Sequence, residues 1–92
     1  MKIIIRRATF NAEEFNSEIK CPEYALAENL NNFVAISVDD QFVDAFKEML
    51  RAAHASLDAE YNARLFEVDK LAQVIRKQMM IRQIITKIFK PD

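Results

Sequence analysis

The chain has no glycine and no tryptophan, two prolines and a single cysteine. Each shortage removes something. Without glycine there is no Gly-rich phosphate loop, no dinucleotide-binding fingerprint and no nucleophile elbow. Tight hairpin turns and left-handed helix caps also lose their usual residue. Cys21 alone cannot close an internal disulfide, which excludes a secreted disulfide scaffold. Ile3-Ile4-Ile5 meets Arg6 and Arg7 at once, far short of a signal-peptide core, and no apolar run approaches a membrane span. These absences lead to the expectation of a cytoplasmic protein of a reducing compartment, with no membrane partner.

What is present is a folding composition. Hydrophobic residues make up 51% of the 92 and charged residues 29%, enough for one core and too little for two, so residues 1–92 read as a single domain. Residues 2–9, carrying the three isoleucines, read as a strand. Asn11 suits a helix N-cap with Glu14 at the capping-box position, and Phe10 can staple onto Phe15. That helix must stop before Pro22, and Pro22 suits the first turn of a second short helix through Leu26 and Leu30. Asn31-Asn32 is its expected terminator, asparagine being the best left-handed residue left to this chain.

Residues 33–38 alternate as a second strand, and Ser37-Val38-Asp39-Asp40 closes it with a capping box. From there to Phe89 apolar residues recur at helical spacings with no proline or glycine between them. An unbroken helix of that length would run about 75 Å, against a radius of gyration of about 12 Å for a compact chain of this size. It must therefore either project against another chain or fold back as a hairpin, with the best break near His54-Ala55-Ser56. The expected fold is α+β and predominantly helical: a two-stranded sheet, two short helices between its strands, then a long helix or helical hairpin over 39–89. Two strands alone are marginal in water. That argues for a homo-oligomer, most simply a twofold dimer, joined along Leu65, Val68, Ala72, Ile75 and Met79.

A net charge of −1 conceals a sharp partition. Residues 1–9 carry +3, residues 10–69 set four bases against thirteen acids for −9, and residues 70–92 carry +5. Asp39, Asp40, Asp44 and Glu48 climb one edge of a helix and form the candidate face for a partner protein, such as one that handles nucleic acid. Arg76, Lys77, Lys87 and Lys90 fall in one helical stripe and are the alternative, a set of phosphate contacts for nucleic acid.

Chemistry finds little footing. His54 and Asp58 have hydrogen-bonding spacing, but a His–Asp pair without a positioned nucleophile is no triad. Cys21 would be a reactive thiolate only if Pro22 opened a helix beside it. One histidine and one cysteine cannot make a structural zinc site, and the adjacent carboxylates at 13–14 and 39–40 diverge on a helix. No catalytic residue, cofactor or metal ligand is assigned. In size and charge partition the chain resembles the small accessory proteins of phages and mobile elements that bind and inhibit host factors, a resemblance of style that covers no specific positions. The function expected is therefore non-enzymatic: an oligomeric inhibitor or regulator meeting its partner through the acidic middle.

Overall fold

A computed structural model describes residues 1–7 and 10–89. The isoleucine run forms β1, Lys2–Arg6, with Ile3 and Ile5 buried and their neighbours facing outward. The far end of the expected strand, Ala8 and Thr9, lies outside the described residues. Helix α1, Ala12–Glu18, begins as its sequence dictates: Asn11 Oδ1 accepts a 2.9 Å hydrogen bond from the Glu14 amide. Phe10 and Phe15 both enter the core. With no glycine to end the helix, Lys20 takes the left-handed conformation at φ 55°. A Cβ makes that conformation costly, and the packing of Phe15 and Ile19 against the core holds it in place.

The second short helix is not formed. Residues Ala25–Leu30 are a strand, β2, joined by a two-residue turn to β3, Phe33–Val38. Leu30 pairs with Phe33 across that turn and Ala25 with Val38 at the far end. Asn31 is left-handed, φ 49°, as a chain without glycine requires, but it turns a hairpin rather than ending a helix. Local propensity in Ala-Leu-Ala-Glu-Asn-Leu favours a helix. Two nonlocal gains outweigh it. As a strand the segment satisfies the second edge of β3, and it delivers Asn29 to α1, where Oδ1 accepts from the Ala12 amide at 3.0 Å and Nδ2 donates to Glu13. The sheet is three-stranded and antiparallel in the order β1-β3-β2. The third strand comes from the same chain, so the sheet does not call for a second copy.

A 3₁₀ turn, Asp40–Phe42, leads into α2, Val43–Ala63. The expected capping box is absent. Asp39 caps nothing with its side chain, and the Asp40 carboxylate instead meets the Met1 amino group at 2.7 Å. The helical hairpin is present, but its break falls at residues 64–67 and not at Ser56. Phe46, Leu50 and Leu57 share one buried stripe, and a break at Ser56 would have thrown Leu57 out of phase with the core. The stripe runs out after Tyr61, and there the helix stops. Arg64 holds the turn by reaching Glu60 at 3.2 Å and Glu67 at 3.1 Å. Helix α3, Val68–Phe89, then returns. At 21 and 22 residues the two helices span about 32 Å each, which fits within principal extents of 40 × 28 × 26 Å.

The helices cover one face of the sheet. Ile3, Ile5, Val34, Ile36 and Val38 point down onto Phe15, Phe46, Leu50, Ile81 and Ile84, with α3 against β1 and α1 against β2. Phe15 and Phe46 meet at 6.5 Å between ring centroids, at a tilt of 51°. The opposite sheet face, with Leu26, Leu30 and Phe33, stays exposed. No helix among the described residues is long and apolar enough to cross a membrane.

Candidate interaction surfaces

The acidic candidates lie together where β3 passes into α2, and all four are exposed. Two of them already have local partners. Asp40 meets the Met1 amino group, which holds its carboxyl below the ordinary range, and Glu48 accepts from Arg51 at 2.9 Å. Lys47 and Arg51 lie over the Phe89 ring at 5.2 and 4.5 Å and tie α2 to the end of α3. Beside the acids, Tyr24 stacks on Phe42 at 4.8 Å.

Two of the candidate phosphate contacts are paired within the fold. Arg76 pairs with Glu14 at 2.7 Å and Lys77 with Glu18 at 3.1 Å, so this half of the basic stripe binds α1 to α3. Lys87 lies farther along, beside β1. Lys90 is outside the described residues. The charge partition read from the sequence is thus partly spent inside the fold. Glu13, exposed at the start of α1, is paired as well: hydrogen bonds from Asn29 hold its carboxyl below the ordinary value of 4.5.

His54 and Asp58 do pair, with Nδ1 3.4 Å from Oδ2. Arg82 Nε donates to His54 Nε2 at 3.0 Å, and the Gln78 side-chain amide donates to Asp58. An acceptor at Nε2 places the histidine proton on Nδ1, facing Asp58. The chain of four side chains joins α2 to α3, and it holds no nucleophile. Gln78 is the one buried polar residue among those described. Removing its acceptor with Asp58→Ala should cost about 1–3 kcal/mol in urea unfolding. Pairing that change with Gln78→Leu should recover part of the loss, a coupling that a double-mutant cycle reads directly.

Cys21 is equally structural. No helix starts at Pro22, the thiol donates to the Ala25 carbonyl at 3.4 Å, and burial pushes its pKa up. A thiolate nucleophile needs the opposite shift.

The oligomer candidates have the most informative placement. Leu65, Val68, Ala72, Ile75 and Met79 are all exposed, Val68 by 77% and Met79 by 54%, and Phe66 in the turn before α3 by 98%. On α3 these positions lie opposite Val74, Ile81, Ile84 and Ile88, which face the core. The helix is therefore apolar on two sides, one of which its own fold leaves uncovered. Such a helix normally packs on both.

Sequence reasoning missed one further feature. The groove between the outer edge of β1 and α3 is lined by Arg6 from one basic segment and by Arg82 and Lys87 from the other. The two segments are separated by some 75 positions, so no local signal could have shown them meeting.

Comparison with family models, characterised proteins and solved structures yields no match for this chain.

Proposed function

We propose that this protein is a non-enzymatic interaction module: two copies join along the outer stripe of α3, and the pair presents its acidic α2 edges to a partner protein that it inhibits or regulates. The observation that carries this reading is the exposed line of Val68, Ala72, Ile75 and Met79, opposite the buried face of the same helix. The stripe suits a second copy in particular. In an antiparallel twofold pairing of α3, Val68 falls opposite Met79 and the small Ala72 opposite Ile75, so large and small side chains alternate across the axis. Covering a large apolar side chain fully contributes about 1.5–3 kcal/mol, so Val68, Ile75 and Met79 from each chain, with Leu65 and Phe66 at the ends, supply enough for micromolar association.

The acidic edge supports the second half of the reading. Asp39 and Asp44 stand exposed beside the flat Tyr24–Phe42 pair, which joins charge to apolar area as protein-recognition surfaces do. The alternative, phosphate contact through the basic stripe, draws less support. Nucleic acid would have to displace Glu14 from Arg76 and Glu18 from Lys77 before gaining anything.

Sedimentation should show a dimer at micromolar concentration, reduced to a monomer with unchanged helicity by Ile75→Glu with Met79→Glu. A compact wild-type monomer at high micromolar concentration would remove self-association from the reading. Capture of a partner from native lysate, insensitive to nuclease, should be abolished by charge reversal at Asp40, Asp44 and Glu48. Survival of capture would discard the acidic edge as the contact.

A further inference from the structure

We propose that the open face of the sheet is a second self-association surface, on which another copy of this chain stacks its own open face. The proposal rests on neither the α3 stripe nor the acidic α2 edge.

Strand alternation fixes what that face carries, since the residues between those that enter the core point outward. Pairing across the strands sets Lys2, Ser37 and Leu26 in one row and Ile4, Ala35 and Glu28 in the next. Ile4, Leu26, Leu30 and Phe33 are each 41–55% exposed there, and the small Ala35 lies covered among its larger neighbours. An antiparallel sheet that leaves one face to water alternates apolar with polar side chains, but here the outward side is mostly apolar too. Its two charges in these rows, Lys2 on β1 and Glu28 on β2, stand diagonally across β3, and both are exposed. The strands of the sheet are complete within one chain; the covering of the sheet is not.

Charge selects the occupant. A twofold axis running along β3 lays each β1 over the partner's β2, with strand directions within about 30° of one another. Lys2 then covers the partner's Leu26, and its long side chain reaches the partner's Glu28, the next outward position along that strand. Symmetry makes this contact twice. The two Phe33 rings meet at the axis. Arg6 lies over the partner's Leu30 and is not needed for the pairing. An axis across the strands would instead stack Glu28 on the partner's Glu28, which is repulsive. The face therefore complements itself in one orientation, which is what a twofold contact requires and what an unrelated partner would not.

Other occupants fit worse. Nucleic acid would bring phosphates against Glu28, and a lipid surface would have to take Glu28 in with the four apolar side chains around it. Size sets the strength. Three strands about 4.8 Å apart and six residues at about 3.3 Å each give a face of roughly 14 × 20 Å. Both copies together bury less than about 1,200 Å², the range of weak, reversible contacts, so a dissociation constant on the order of 100 µM is expected. Pairing along α3 is the stronger contact, and its dimers would join in pairs through their sheets only as the protein is concentrated.

The test is sedimentation equilibrium of the full chain carrying Ile75→Glu and Met79→Glu, from about 5 µM to about 1 mM. The α3 stripe is disabled there, so failure of that interface leaves the result unaffected. The chain should pass from monomer to dimer within this range, and adding Leu26→Asp should weaken the dimer by about tenfold or more. Lys2→Glu and Glu28→Lys, each added singly, should weaken it by about fivefold, because each sets like charges together at two symmetric contacts. An equimolar mixture of these two variants should recover the affinity as a heterodimer, and so should a chain carrying both changes. Loss of folding cannot produce that recovery. A monomer at all concentrations would overturn the proposal, as would a dimer indifferent to Leu26→Asp. A mixture no tighter than either variant alone would also overturn it.

Discussion

Replacing Phe46 by alanine should cost about 3–5 kcal/mol in urea or thermal unfolding, the range for deleting a buried aromatic ring. Phe46 has no exposed surface, lies on the buried stripe of α2 and meets Phe15 of α1, so its ring sits where both helices converge under the sheet. The cavity would open between elements that lie far apart in sequence and cannot collapse onto one another locally. For a chain of this length total stability is about 5–14 kcal/mol, so the substitution should remove a large share of it. Phe46→Leu, which keeps most of the volume, should lose less than half as much; an equal loss would mean that the ring is not packed as described.

The second large effect is expected at Ile36. It sits at the centre of β3, paired with Ile3 on one side and Ala27 on the other, with no exposed surface. Ile36→Asp would place a carboxylate there with no cation in reach, and such a group either stays ionised at high cost or takes up a proton on folding. The loss should exceed about 4 kcal/mol, leaving no cooperative thermal transition near neutral pH. The matched control is Leu26→Asp on the open face of β2, 55% exposed, which should change stability by less than about 1 kcal/mol. Similar losses at both positions would contradict a sheet that is covered on one face only.

Parts of this architecture were legible in the sequence because they depend on neighbours. The Ile3-Ile4-Ile5 run, the alternation of 33–38, the Asn11 cap and the periodicity of α2 and α3 each report a local choice between backbone geometries. The outer stripe of α3 was legible for the same reason. Apolar residues around most of a helix's circumference imply more than one neighbour, whatever those neighbours are. Cys21 and His54, weighed as weak chemical signals, are a partly buried, hydrogen-bonded thiol and a polar link between helices.

Residues 25–30 mark where local reading ends. Nothing within the segment says strand, because the reason is the vacant edge of β3 and the need for Asn29 beside Glu13. The hairpin break was misplaced for a related reason. Ser56 is a good cap in isolation, but a cap contributes about 1 kcal/mol and cannot outweigh keeping Leu57 in the core.

Sequence by itself determined that the chain would be helical for most of its length, that its left-handed positions would fall on residues other than glycine, and that its charge would be divided into three blocks. Tertiary structure decided what became of those blocks. Folding spent Arg76 and Lys77 on Glu14 and Glu18, left the acidic start of α2 outside, and brought Arg6, Arg82 and Lys87 to one groove. Propensity and capping act over a few residues, whereas charge pairing and strand edges act through space. Only the packed chain could show which charges neutralise one another and which remain facing out.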